Sequence, residues 1–159
     1  MLIETLSPGI RLVQPRSFAG LMTLYAANYA SLRQLLGNLH QLPATLISHS
    51  PSDLRIYLTL GERSRYTTCL RMTYRLNVAG RASDSPDLEL RIYHDARLAE
   101  AVSCSDSPRV VRPGAPVSRA RCELAQRWTL NMLLRKWLEH CLDHQHRFGE
   151  ALAVHAGGT

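Results

Sequence analysis

The residues of this chain most able to do chemistry lie in one short run, residues 88–102, Leu-Glu-Leu-Arg-Ile-Tyr-His-Asp-Ala-Arg-Leu-Ala-Glu-Ala-Val. At its centre His94 precedes Asp95, and His94 is the residue there whose ordinary pKa suits proton transfer near neutrality. A His-Asp pair invites comparison with metal phosphohydrolases. It supplies at most two ligands, however, and the chain has no Gly-rich phosphate loop, no GxSxG elbow and no HExxH helix. Asp95, at a turn, ordinarily accepts local hydrogen bonds.

Other candidate ligands are sparser. His140 and His144 would share one face of a helix with His146 just beyond, yet no third ligand type stands at a suitable spacing. They read as a solvated helix end, where histidine complements the dipole. Cys69, Cys104, Cys122 and Cys141 are far apart with no CxxC pattern, which points to free thiols in a reducing compartment rather than a zinc or redox site. No metal, cofactor or catalytic residue is assigned.

The elements that position these residues follow from periodicity. In residues 88–102 strict alternation sets the register of a hairpin, because a one-residue slip would reverse every apolar side chain. Leu90 faces Ala101 and Ile92 faces Ala99 on one side; Arg91 faces Glu100 and Tyr93 faces Leu98 on the other. The Arg91–Glu100 pair would add roughly 0.2–1 kcal/mol. The loop is Asp95-Ala96 or, since a two-residue turn favours glycine, residues 94–97 in the same register.

Upstream, Leu54, Ile56, Leu58 and Leu60 form one apolar row, and Tyr66, Thr68, Leu70, Met72, Tyr74 and Leu76 another. An odd-length loop around residues 62–64 puts both rows on one face, with Leu58 opposite Thr68 and Ile56 opposite Leu70. Residues 45–48 are a short extended piece. Residues 77–86 read as a polar loop. Residues 103–118, with Pro108, Pro113 and Pro116, read as an irregular connector holding Arg109 and Arg112.

Two helices complete the pattern. Ser17 is a candidate N-cap for the spacing Phe18, Leu21, Met22, Tyr25, Tyr29, Leu32, Leu35 and Leu36, which Gly37 and Pro43 terminate. A long helix over residues 119–144 presents Cys122, Ala125, Trp128, Met132, Trp137, Leu138, Cys141 and Leu142 on a broad apolar side. The expected fold is α+β: a four- or five-stranded antiparallel meander of hairpins, with an N-terminal and a long C-terminal helix covering one face. Residues 1–16 form an irregular lead-in, 17–145 a single domain, and 146–159 a flexible tail that frays.

Covering one face leaves Arg55, Tyr57, Arg71, Arg75, Arg91, Tyr93 and Glu100 on the other, with His94 and Asp95 at its end. Arginine and tyrosine together could grip a phosphate or stack on a ring. The plainer reading is the wet face of an antiparallel sheet, with arginine stems lying over neighbours.

Composition sets the outer bounds. The 159 residues suffice for one domain with its own core. No apolar run approaches the roughly 18 residues of a membrane span, and the N-terminal segment lacks the basic start of a signal peptide, so a cytoplasmic location is expected. The net charge of +6, carried by arginine at every basic position except Lys136, permits an anionic partner. It does not require nucleic acid, which is possible and not favoured.

The segments 65–68 (Arg-Tyr-Thr-Thr) and 90–100, then Asn131, Trp137-Leu138 and Cys141-Leu142, together with Leu21-Met22, Tyr25, Asn28-Tyr29 and Leu35-Leu36, resemble the YqiB-like family of uncharacterised proteobacterial proteins. The likeness runs over residues 17–145. It implies a small cytoplasmic protein with no established activity, and a genomic neighbourhood linked to nucleotide signalling. The expected role is a non-catalytic regulatory or adaptor protein binding an acidic partner or anionic ligand through the arginine-tyrosine face. The alternatives are a nucleotide- or RNA-binding module on that face and a phosphohydrolase at His94-Asp95.

Overall fold

A computed structural model of the chain describes residues 17–78, 81–104 and 119–150. Its frame is a six-stranded sheet of β1 (Thr45–His49), β2 (Ile56–Arg63), β3 (Thr67–Val78), β4 (Arg81–Tyr93), β5 (Leu98–Cys104) and β6 (Arg147–Glu150). The spatial order is β5-β4-β3-β2-β1-β6, antiparallel at every pairing. Helices α1 (Phe18–Leu36) and α2 (Arg119–Asp143) cover one face. The α+β class and single covered face are as the periodicity requires.

The core is the apolar row of each strand closed by the helices. Ile56 and Leu58, Leu70 and Met72, Leu88, Leu90 and Ile92, and Ala99 and Ala101 are buried together with Leu32, Leu134, Trp137, Leu138 and Cys141. Each fully buried Leu or Ile stabilises by roughly 1.5–3 kcal/mol. Trp137 stacks on Tyr74 at 5.0 Å between centroids. Trp128 is only half-buried and belongs to a smaller cluster around Leu21, Leu24 and Tyr25.

On β5, the small side chains of Ala99 and Ala101 let α2 approach the backbone. The fully buried Asn131 accepts from Ala101 N–H at 2.7 Å, and its Nδ2 donates to the Ala101 carbonyl at 3.3 Å. One side chain thus satisfies the outward groups of an edge strand that would otherwise seek another chain.

The β4–β5 register is the expected one, Leu90 to Ala101, Arg91 to Glu100, Ile92 to Ala99 and Tyr93 to Leu98. The turn is the longer option, residues 94–97, with Arg97 at φ 55°. Four expectations need correction. β2 and β3 keep the expected faces but pair four residues further along: Ile56 faces Tyr74 and Leu58 faces Met72, because β2 runs on through a bulge to Arg63 and the loop is residues 64–66. Alternation fixes parity, not offset. Leu54 lies before β2 and is exposed. Residues 77–78 and 81–86, read as loop, extend β3 and β4 past a bulge.

The fourth correction is the tail. Instead of fraying directly after Gln145, the chain adds β6 against β1 and brings the strand count to six, while the rest of the expected tail, 151–159, and the expected lead-in, 1–16, lie outside the described residues. The reversal is a Schellman motif: His146 N–H bonds to the Cys141 carbonyl at 3.0 Å and Gln145 N–H to the Leu142 carbonyl at 3.2 Å. Gln145 holds the left-handed position at φ 55°, where glycine is usual, and Phe148 then packs on the core. Arg109 and Arg112 lie outside the described residues, as do the side chains of Arg75, Arg119 and Arg121.

Candidate functional site

The open face of the sheet gathers most of the expected residues but does not leave its arginines free. Tyr57 and Arg71 stand on adjacent strands, Arg91 and Tyr93 on β4, and Glu100 on β5. Arg55 is exposed just before β2. The register adds Asp87 and Glu89 to the same face. Arg71 Nε lies 3.1 Å from Asp87 Oδ1, Ser103 donates to Glu89 at 3.1 Å, and Tyr93 donates to Glu100 at 2.6 Å. The Tyr93 hydroxyl, then Cys69, raise the Arg91 guanidinium's pKa. Burial, then the Glu100 hydrogen bond, raises the Tyr93 hydroxyl. Described cations on this face thus lie among carboxylates and hydroxyls, a pattern of cross-strand pairing.

A second constellation was invisible at the level of spacing. Asp53, in the turn before β2, accepts at Oδ2 from His146 Nε2 at 2.8 Å, Tyr74 Oη at 2.8 Å and His140 Nε2 at 2.9 Å. Partial burial alone would raise this carboxyl. The hydrogen bonds from His146, Tyr74, the Leu54 amide and His140 outweigh it and hold Asp53 well below the usual carboxylate range. His140 and His146 are therefore anchored to an acid, not merely solvated. His146 Nδ1 meets Ser48 Oγ at 2.8 Å, and that oxygen accepts from Ile56 N–H at 2.7 Å.

Ser48, His146 and Asp53 imitate a hydrolytic triad in composition. Ser48 is fully buried, though, so no substrate carbonyl can reach its hydroxyl. The cluster's work is structural. Ser50 Oγ donates to the His144 carbonyl at 2.7 Å and Ser52 Oγ pairs with His144 Nδ1 at 2.7 Å, so the 50–53 turn caps the end of α2. Among the described residues no group of three or more His, Cys, Asp or Glu side chains could hold a metal ion. The described cysteines, Cys69, Cys104 and Cys141, are free thiols. Burial, then Asp53, pushes the Cys141 thiol up to about 12, which makes it inert.

The third arrangement is a pocket of about 600 Å³ lined by Tyr29, Arg33, Gly37, Asn38, Leu39, His40, His94 and Arg97. Three separate elements converge there. Arg33 sits in the last turn of α1, which Gly37 closes at φ 77° with its N–H on the Arg33 carbonyl. Asn38 caps a short 3₁₀ turn, Leu39–Gln41, by accepting from the His40 amide, and so presents His40. The β4–β5 turn supplies His94 and Arg97. The His40 and His94 rings stack at 4.1 Å.

His94 is 7% exposed; its Nε2 lies 2.7 Å from Thr68 Oγ1, and its Nδ1 has no hydrogen-bond partner. Leaving such an atom buried and unpaired costs about 1–3 kcal/mol. Burial, then His40 and the Arg63 guanidinium, hold His94 below its ordinary pKa, while Asp95 acts in the opposite direction. Asp95 is exposed and outside the lining. Among the described residues, no carboxylate lines the pocket.

The end of α1 contributes a partial negative charge, worth about 0.3–1 kcal/mol against an anion. A hydrogen bond from one arginine to an anion contributes about 1.5–3 kcal/mol, and two arginines line the cavity. The electrostatic balance therefore favours an anion. Of the site residues expected from the sequence, the pocket lining contains only His94. Arg33, Asn38, His40 and Arg97 come from segments read as helix end, linker and turn, and no local spacing joins them.

Fold and site together define an α+β protein with one helix-covered antiparallel sheet and a basic pocket at a hairpin turn. The family pattern described as "Protein of unknown function (DUF1249)" matches residues 31–147. The chain belongs to that family. It is 31% identical over 130 residues to the "Uncharacterized protein YqiB" of Escherichia coli (strain K12), covering 80% of this chain and 89% of the relative. The same figures hold for the proteins of that description from strain CFT073 and from Escherichia coli O157:H7. No solved structure matches. No described helix is long and apolar enough to cross a membrane.

Proposed function

We propose that this protein is a non-catalytic regulatory or adaptor protein that binds an anionic ligand or the acidic group of a partner, and that the pocket at His94, rather than the sheet face, is where it does so. One observation carries the reading: a buried imidazole with an unpaired nitrogen stands in a pocket walled by Arg33, His40 and Arg97, with no carboxylate among the described lining residues. Arg97 adds support. A left-handed arginine costs of order 1–3 kcal/mol, and such strain clusters where a side chain is needed in place.

The alternatives draw less support. A nucleotide- or RNA-binding role for Arg55, Tyr57, Arg71, Arg91 and Tyr93 would require Arg71 to exchange Asp87 for a phosphate, with Glu89 and Glu100 on the same face. A phosphohydrolase at His94-Asp95 would need a second catalytic group, and the described lining residues offer no carboxylate and no nucleophile except the Tyr29 hydroxyl.

Sulfate titration at low ionic strength, followed by amide NMR, tests the reading. Saturable shifts centred on Gly37, Asn38, His94 and Arg97, lost as salt screens the site, are expected. Shifts centred on Arg71, Arg91 and Glu100, or no saturation anywhere, would overturn it.

A further inference from the structure

We infer, resting on the anion-site reading, that the pocket takes the phosphate-monoester end of a small organic molecule, with Arg33 and Arg97 meeting its charge and His94 offering Nδ1–H as the directional donor once the His40 ring slides off it. Shape and charge select this ligand class. Donors arrive from the end of α1, from the 3₁₀ turn and from the β4–β5 turn, so they surround a group from several directions. A tetrahedral phosphate presents three acceptor oxygens to such a ring of donors, whereas a planar carboxylate presents two in one plane. A cavity of about 600 Å³ also exceeds the needs of a bare ion and matches a small organic ligand.

The protons follow from the contacts. His94 Nε2 is shared with Thr68 Oγ1, and a hydroxyl can donate to it or accept from it. An anion beside Nδ1 requires hydrogen there. That is met by the tautomer in which Thr68 donates to Nε2, or by the imidazolium, in which both nitrogens donate. The groups facing His94 are His40 from the 3₁₀ turn, Arg63 from β2, Thr68 from β3 and Asp95 on its own turn, with Arg33 and Tyr29 from α1 and Arg97 sharing the pocket. His40 and Arg63 oppose a charge on the ring. A dianion reverses that balance, so binding takes up a proton and tightens as pH falls from 8 towards 6. His40 is exposed, which leaves its ring free to move.

Calorimetry on the full chain with phenyl phosphate, benzoate and inorganic phosphate, each in two buffers of different ionisation enthalpy at pH 7, separates the claims. Phenyl phosphate should bind at least tenfold more tightly than benzoate or inorganic phosphate, with net proton uptake. Inorganic phosphate binding as tightly as phenyl phosphate would overturn the organic body, and benzoate binding as tightly would overturn the phosphate. Either result leaves the anion site standing. If sulfate and all three probes fail to bind, the site itself falls. Arg33→Gln and His94→Phe should each weaken phenyl phosphate at least tenfold. Because His94→Phe can perturb folding, the His94 ring is also followed by NMR in the unaltered protein. Its titration midpoint should rise by more than one pH unit with phenyl phosphate, and no rise would overturn the role given to Nδ1.

Discussion

Two buried histidines of this molecule, His146 and His94, stand in opposite states of completion. His146 has Ser48 on one ring nitrogen and Asp53 on the other. Its neighbours Tyr74 and His140 share the same carboxylate, so the group closes on itself. His94 has Thr68 on one nitrogen and no hydrogen-bond partner among the described residues on the other, with Arg33 and Arg97 in its pocket and the exposed Asp95 outside the described lining. Buried polar groups are nearly always paired. The closed cluster therefore holds the fold, and the open one, which also lines a pocket, is the one we propose for an outside partner.

The comparison can be broken most directly by removing the acid. Asp53→Ala should lower unfolding free energy by about 2–4 kcal/mol, since it leaves the Tyr74 hydroxyl and the His146 nitrogen without their shared acceptor. Urea denaturation reads this as a lower midpoint at unchanged slope. Phenyl phosphate affinity should stay the same. A loss below about 0.5 kcal/mol would mean the cluster is ornamental.

The same carboxylate fixes the acid limb of stability. Its pKa is lower in the folded chain than the roughly 3.9 of an unfolded aspartate. The unfolded state therefore binds the proton first. The contribution of Asp53 is complete above that value and is lost as pH falls below it towards the folded pKa. Between pH 5 and pH 2 the stability of the wild type should fall more steeply than that of Asp53→Ala. Parallel curves would contradict the assignment.

Removing the other histidine should do much less to the fold. Replacing His94 by Phe together with Thr68 by Val deletes a buried hydrogen bond, both of its partners and an unpaired nitrogen at once, and such an exchange is close to neutral. The expected change in unfolding free energy is under about 1 kcal/mol, against loss of phenyl phosphate binding. A cost larger than that of Asp53→Ala would reverse the contrast between the two sites.

The sequence made the β4–β5 hairpin far more legible than either histidine cluster, and for a physical reason. Alternation in residues 88–102 fixed the Leu90–Ala101 register because a slip would bury Arg91 and Glu100. It could not fix the β2–β3 offset, where every even shift keeps Leu58, Leu70 and Met72 inside. Asn131 was visible only through the family likeness; its role, bonding the β5 edge, needs the packing of α2. Both histidine clusters were out of reach, since Asp53 meets His146 across 93 positions and the pocket joins Arg33 and His40 to a turn more than fifty residues on. The face with Arg71 and Arg91 looked basic because Asp87 meets Arg71 only through the β3–β4 pairing, although alternation along β4 already puts Glu89 on the side of Arg91.

The finest test uses a feature the two regions share. Arg97 beside the pocket and Gln145 beside the Asp53 cluster hold the same left-handed backbone, each at φ 55°. Glycine there removes the steric penalty but loosens the unfolded chain, for a net gain of about 0.5–1 kcal/mol. At position 145 the side chain is exposed and the Schellman bonds run through backbone, so Gln145→Gly should raise the urea midpoint and leave ligand binding untouched. Arg97→Gly should raise it by a similar amount and weaken phenyl phosphate. Both positions keep a strained side chain, so it is a loss of binding on substitution at 97 and not at 145 that marks a side chain retained for what it binds. Equal binding by Arg97→Gly and the wild type would remove Arg97 from the site and leave its backbone as strain without a use.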